Sequence, residues 1–337
     1  MKPLPIHLWV IIVAGVGLLV AAPVYLNQYP YQMTVVTGAL FYAILASSWA
    51  LLAGTAGQFS FAHMALVGIG AYTSGLLGRD MGMTPLLGIV MGALLAGISG
   101  LIIGLLCLRL RRAYLALFTI AFSEILRITL LTEFKYTEGS NGLQLAQLYP
   151  GITAIAEYYI MLALLLSALA LMYWLTGSRF GLFIRAMRED EDAAAAMGVN
   201  VTRYKILVFV ITSLIIGLSG AVFYHQIGII TPNTMDLLQM SLVIAMSVIG
   251  GLESLLGAAA GAFLSRIGLE LLREINVLGL HIEFGVWRYA AFGILLMFTL
   301  RFAQNGLLYP VLNRLFLRRS HLEAVARRQK TAEKSAP

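Results

Sequence analysis

Apolar residues along this chain come in long unbroken runs. Between Lys2 and Arg79 there is no Asp, Glu, Lys or Arg, and between Asp80 and Arg109 again none. The runs are rich in Leu, Ile, Ala and Gly and lack the period-two alternation of a barrel strand in lipid. A helix that crosses a bilayer needs about 20 mostly apolar residues, and every backbone amide inside lipid must be satisfied within the segment. The pattern therefore predicts ten membrane-embedded helices, over residues 6–26, 33–53, 60–78, 85–108, 114–132, 156–176, 207–227, 239–252, 255–272 and 287–303. The third starts in a glycine-rich stretch, as a broken helix would. The eighth is too short to cross alone and reads as a half-helix that turns at Gly250-Gly251, with Ser254-Leu255 opening the next. The fold class is all-α, a polytopic transmembrane bundle of about eight to ten spans with one or more broken helices.

Small residues recur every fourth position in two of these helices. Gly88, Gly92, Ala96, Gly100 and Gly104 share one face of the fourth, and Gly257, Gly261 and Ser265 one face of the ninth. Such faces let helix backbones approach closely where lipid offers no hydrophobic drive for association. They predict a compact bundle without distinguishing a channel from a transporter.

Composition agrees. Of 337 residues 60% are apolar and only 12% charged. A single cysteine, Cys107, excludes an internal disulfide framework and a cysteine metal site. The segment His7–Ala22 has the look of a signal peptide, but only Lys2 precedes it and further spans follow, so it is taken as the first span. The basic residues fix an orientation, because Lys and Arg are retained on the cytoplasmic side. With both termini inside, 17 of the 23 fall in cytoplasmic segments, four (Arg79, Lys135, Arg273, Arg288) at the outer side, and Arg127 and Arg266 within spans. The net charge of +7 reflects this topology and does not point to nucleic acid. The chain divides into a membrane domain, 1–305, and a basic cytoplasmic tail, 306–337.

Four places carry candidate chemistry. Residues 178–205 form the longest polar interruption before the tail. There Asp190 or Glu191 suits a helix cap, Ala193–Ala196 are strong helix formers, and Gly198 ends the helix. The product is a short helix with a smooth alanine face, fit for docking on another protein or serving as an ordinary loop helix. Gln58, Ser60 and His63 stand among glycines, which suits an interrupted backbone facing a polar path or hydrogen bonds between helices. Glu124 and Arg127, three apart within a span, are placed to pair, either as a structural ion pair or along the path. Gly139, Ser140, Asn141 and Gly142 form a tight turn on the outer side, where exposed amides could meet a docking protein or a carboxylate.

The segment Ser178–Lys205, SRFGLFIRAMREDEDAAAAMGVNVTRYK, resembles the loop through which permeases of ABC importers couple to their ATPases, with Glu191, Ala194, Ala195 and Gly198 matching its EAA pattern and Arg185 preceding it. The whole string is similar to that of the LivM-type permeases of branched-chain amino acid importers. So are GQFSFAHMALVGIGAY from Gly57, RRAYLALFTIAFSEILR from Arg111, TEGSNGL from Thr137 and SVIGGLESLLGAAAGA from Ser247. The pieces stand in family order across residues 35–305. Ala62, Glu138, Glu253 and Ala258 depart from the pattern, where that family has glycine, glycine, glycine and proline.

The resemblance implies a membrane-spanning subunit of the bacterial inner membrane that passes branched-chain amino acids, or small amides such as urea, delivered by a periplasmic binding protein. It implies a second permease and two ABC ATPase subunits as partners, with membrane lipid around them and no nucleic acid. No GxxxxGK[ST] occurs, so no cofactor is expected on this chain and ATP is expected on the partners. No catalytic constellation is present, so it is expected not to be an enzyme. The rival reading is an ion-coupled secondary transporter acting alone, with Glu124 as proton carrier. The orientation has a direct test. With Cys107 replaced, cysteines at Ser178 and Gln329 should react with an impermeant thiol reagent only from the cytoplasmic side, and one at Gln144 only from outside.

Overall fold

The structure is a computed structural model that describes residues 6–26, 28–106, 113–149, 151–277, 280–283, 285 and 287–302. Cys107, the basic residues 109–112 and the tail from 303 onward lie outside the described residues. Ten long helices correspond in order to the ten predicted ones: α1 Ile6–Leu26, α2 Pro30–Trp49, α3 His63–Met81, α4 Pro85–Leu106, α5 Ala113–Thr132, α7 Ala154–Gly177, α10 Val201–Ile227, α11 Leu237–Gly250, α12 Leu255–Leu271 and α13 Trp287–Phe302. Three short helices join them: α6 Phe134–Thr137, α8 Arg179–Glu189 and α9 Glu191–Ala196.

By length and composition, five helices among the described residues can each cross a membrane, six if the bent pair α11–α12 counts as one span. They are α2 with its continuation to Thr55, α4, α5 from Tyr114, α7 and α10. α3 ends in Arg79-Asp80 and is less apolar, and α13 is short. α2 does not stop at Trp49 but widens into a π-helical turn, Ala50–Thr55, whose last residues lead into an irregular loop, 56–62. The glycine-rich stretch is therefore the connection between α2 and α3, and α3 itself runs unbroken from His63. α11 and α12 meet at 119° across a four-residue turn. Gly251 turns the chain at φ 110°, and Ser254 caps α12 by accepting from Gly257 N at 3.0 Å.

The core is built where small residues let backbones touch. α4 packs on α3 and α10, and α3 packs on α10. A Cβ added to Gly92 would collide with the Gly70 carbonyl oxygen, and one added to Gly70 with the Gly217 carbonyl oxygen. The small face of α4 is thus buried, as its spacing predicts. On α12, Gly257 and Gly261 meet the backbone of Gly250 on α11. α2 is the most enclosed helix, with α7 on one side and α12 on the other. α1 is tied on by the hydroxyls of Tyr158 and Tyr159, which donate to the Leu19 and Val20 carbonyls at 2.7 and 2.9 Å.

Two small strand pairs interrupt the all-α picture. β1 Leu143–Gln144 pairs antiparallel with β2 Ile229–Ile230, and β3 Glu274–Val277 with β4 Leu280–Glu283. Both belong to connections between helices, where backbone that is not helical must find partners elsewhere.

The close packing predicts the effect of bulk. Gly92→Leu should destabilise the fold by about 1–3 kcal/mol or more, read as lost monodisperse protein after extraction. Gly293→Leu, where an added Cβ meets nothing within 4 Å, should leave the yield unchanged.

Candidate coupling surface and translocation path

The segment between α7 and α10 is organised by caps. Ser178 ends α7 and starts α8, its Oγ accepting from Phe180 N at 3.2 Å. α8 is amphipathic, with Gly181, Ile184 and Met187 inward and Leu182 and Arg185 outward. The sequence reading did not separate α8 from the loop, since its inward positions are few in a basic segment. Asp190 caps α9 through Oδ1, which accepts from the amides of Asp192 and Ala193 at 2.9 and 3.0 Å. Gly198 takes φ +85° and turns the chain back, and Asn200 caps α10 by accepting from Arg203 N at 3.0 Å. Glu191 pairs with Lys205 of α10 at 2.6 Å, closing the loop at its base.

Ala194 and Ala195 do not share a surface. Ala194 is 6% exposed and faces the chain's own interior, whereas Ala195 and Ala196 are exposed. Neighbours on a helix lie about 100° apart, so a single-sided contact inside the protein takes one and releases the other. Met197 follows them at 85% exposure.

Gln58, Ser60 and His63 are all buried, at the junction of α2, α3 and α5. Trp49 Nε1 donates to the Ser60 carbonyl at 2.8 Å, and Ser60 Oγ accepts from Ala62 N at 3.1 Å. Phe61 N donates to Thr119 Oγ1 at 2.9 Å, which ties the loop to α5. Gln58 Nε2 and both ring nitrogens of His63 have no hydrogen-bond partner among the described residues. The Ser48 backbone lies beside the ring without closing a bond.

Glu124 and Arg127 form a two-bond pair, Nε to Oε2 at 2.9 Å and Nη2 to Oε1 at 2.5 Å. The pair lies on one helix rather than between helices, and its side chains are 41% and 21% exposed. α5 reaches the Gln58–His63 junction through Thr119, five residues before Glu124.

On the other side, Gly139–Asn141 form a 3-10 turn between residues of positive φ, Glu138 at 58° and Gly142 at 83°. Ser140 and Asn141 are exposed, while Gly139 and Gly142 are buried against neighbouring backbone. The chain then enters β1, and His225 holds it down. His225 Nδ1 lies 2.6 Å from the Ala146 carbonyl, and Nε2 lies 2.6 Å from Ser74 Oγ.

Two arginines gained no role from the sequence. Arg188, on α8, donates from Nη1 to the Gly54 carbonyl at 2.7 Å and from Nη2 to Glu253 at 2.8 Å. It joins the loop helix to the end of α2 and to the turn between α11 and α12. Arg266, on α12, places its guanidinium over the ring of Tyr42, 5.5 Å from the centroid.

A sequence profile described as "Branched-chain amino acid transport system / permease component" matches residues 31–300. The chain belongs to this permease family. The LivM permease of Escherichia coli K12 is 27% identical over 311 residues, covering 82% of this chain and 73% of the relative. The LivM permease of Salmonella typhimurium is 27% identical over 296 residues, 76% and 68% of the two chains. The LivH permease of E. coli K12 is 27% identical over 250 residues, 68% and 81%. No solved structure matches.

The protein is therefore a multi-pass permease subunit of the ABC-importer type, a protein of the bacterial inner membrane. In this permease two departures from the family pattern face an arginine, Glu138 with Arg79 at 3.6 Å and Glu253 with Arg188 at 2.8 Å. Glu253, where the pattern has glycine, receives Arg188. The carboxylate is 62% exposed, so its loss in Glu253→Gln should cost at most about 1 kcal/mol. Arg188→Ala also strips the buried end of α2 of its donor, and should cost about 1–3 kcal/mol. Thermal unfolding of the purified variants checks the order, and equal losses would mean that the Gly54 bond contributes nothing.

Proposed function

We propose that this permease passes branched-chain amino acids across the inner membrane as one of two pore-forming subunits. Two ABC ATPases bind its cytoplasmic side, and a periplasmic binding protein delivers the substrate. Both termini are cytoplasmic, which puts 178–205 at the ATPases and 139–142 at the binding protein. α11 and α12 form a re-entrant pair whose turn lies on the cytoplasmic side. ATP is bound and hydrolysed on the partners, not here.

The observation that carries this reading is the loop between α7 and α10. It is capped at each helix start, tied at its base by Glu191–Lys205, and ends in exposed Ala195, Ala196 and Met197. Small and apolar residues presented on a rigid, polar-rimmed element suit a protein partner rather than water. Arg185 and Leu182 extend that surface along α8. Names of relatives support the substrate: the LivM and LivH permeases are high-affinity branched-chain amino acid systems. Gln58, Ser60 and His63 line the inner part of the path, where unpaired buried polar atoms would meet water or substrate once the path opens. Glu124 and Arg127 flank it on α5. Ser140 and Asn141 offer hydrogen-bonding groups to the binding protein.

The loop gives the test. Ala195→Arg adds bulk and charge on the docking face, and Gly198→Val forces a β-branched residue into left-handed backbone at a cost of about 1–2 kcal/mol or more. Both variants should reach the membrane at normal levels, lose co-purification of the ATPases and lose ATP hydrolysis stimulated by the leucine-loaded binding protein. Wild-type co-purification and uptake in both would make the loop a mere connector.

A further inference from the structure

A guanidinium inside a bilayer is costly unless an opposite charge or a set of hydrogen bonds compensates it, and such residues mark sites where ions or substrates pass. α12 carries Arg266 and Glu270 on one side, and Arg273 follows just past its end. Glu270 accepts from the Tyr31 hydroxyl at the outer end of α2 and from Arg273 Nη1 at 3.2 Å. Its other oxygen lies 3.4 Å from Arg266 Nη1. One carboxylate thus serves two guanidiniums and a phenol, and the contact to Arg266 is the longest of the three.

Arg266 is the inner of the two cations. Its guanidinium sits over Tyr42, the midpoint of the 26-residue helix Pro30–Thr55. At 1.5 Å per residue that position lies about 18 Å from either end of the helix. Tyr42 donates its hydroxyl to Gln239 Oε1 at 3.1 Å. Gln239 lies in the first turn of α11, where Asp236 makes no side-chain cap. The first amides of α11 therefore start beside Tyr42 without a capping side chain, and the positive end of the helix dipole points to the same region.

A second arginine arrives from α13. Tyr289 packs with Tyr42 on one cluster of buried residues, and Arg288 Nη2 donates to the Tyr289 hydroxyl at 3.2 Å. The buried Nε of Arg266, and Nε and Nη1 of Arg288, have no hydrogen-bond partner among the described residues. Between α11, α12 and α13 lies an apolar cavity of about 430 Å³, lined by Ile249, Leu264, Leu269, Phe292 and Leu295. Ile249, Leu269 and Phe292 belong to the cluster on which both tyrosines pack.

Spare guanidinium donors, an amide side chain and an uncapped helix start surround the tyrosine pair. The carboxylate that Arg266 contacts, Glu270, is already shared with Arg273 and Tyr31. The missing member is an anion with planar oxygens, the partner that arginine forks fit. We propose that the cluster of Tyr42, Gln239, Arg266 and Arg288 binds a carboxylate, and that this is the α-carboxylate of the amino acid in transit, with its aliphatic side chain in the adjoining cavity. The assignment of the cargo rests on the function proposed above. A lipid phosphate is the other source of such an anion, and the test separates the two.

The test uses the full-length chain, purified with the subunits that accompany it, in nanodiscs of phosphatidylcholine and without binding protein. L-leucine should raise the unfolding temperature saturably, and L-leucinamide, which keeps the side chain and lacks the carboxylate, should not. Arg266→Gln should weaken the leucine response about tenfold or more, and Gln239→Leu less. If Arg266→Gln fails to fold, the leucine and leucinamide comparison on the native chain and the Gln239→Leu variant still decide. Equal responses to the two ligands, no response to leucine, or a leucine response unchanged in both variants would overturn the site. A stabilisation by phosphatidylglycerol that needs Arg266, with none from leucine, would overturn the cargo carboxylate in favour of a lipid headgroup. Leucine-stimulated ATP hydrolysis with the binding protein, read on the native complex, reports separately on the functional reading. Its absence counts against that reading and leaves the binding result to stand or fall alone.

Discussion

Everything else in this permease depends on how closely α3, α4 and α10 approach. Lipid tails are as apolar as leucine, so burial of side chains gives helices little reason to associate, and backbone contact has to supply the attraction. Gly70 lies between the other two helices, its own carbonyl against Gly92 and its missing side chain against the Gly217 carbonyl. No residue with a Cβ fits there. α10 is the helix with the most consequence, because its start carries the cap Asn200 and then Lys205 at the base of the 178–205 loop and its last turn carries His225 beneath the 139–146 segment. Fixing α10 by glycine contacts in its middle therefore fixes both faces of the protein.

The bundle was legible in the sequence because charge-free length is a strong and local signal. The pattern predicts the eighth segment over 239–252, and the helix runs Leu237–Gly250, with the turn at Gly250-Gly251 and the cap at Ser254. The caps of the loop helix were legible for the same reason, since Asp190 and Gly198 act within a few residues of themselves. α8 was not, because Ile184 and Met187 are too few to show a period. Nor was the inward turn of Ala194, which depends on where α9 lands against the rest of the chain. The glycines near Gln58 signalled irregular backbone correctly, but no local pattern says whether a break lies within a span or between two.

The candidate site was legible only in part. The polar residues of the 57–63 loop announce themselves by type, and the structure gathers them with Trp49 and Thr119 from two further helices. Arg266 is a lone cation in an apolar segment, and its neighbours Tyr42, Gln239 and Tyr289 come from three other helices. Composition gives no means of assembling such a set. The same is true of Arg188, whose acceptors Gly54 and Glu253 stand on opposite sides of it in the chain.

The position of Arg188 bears on how force would travel. Its two donors grip the end of α2 and the turn before α12 from one rigid side chain on α8. Any displacement of α8 then arrives at two transmembrane elements in parallel rather than passing from one to the next. In a serial chain of contacts each compliant joint absorbs part of the stroke. A shared grip loses none between its two outputs, so α2 and the α11–α12 turn would move in phase, and the relative position of Tyr42 and Gln239 above them would be preserved during the stroke.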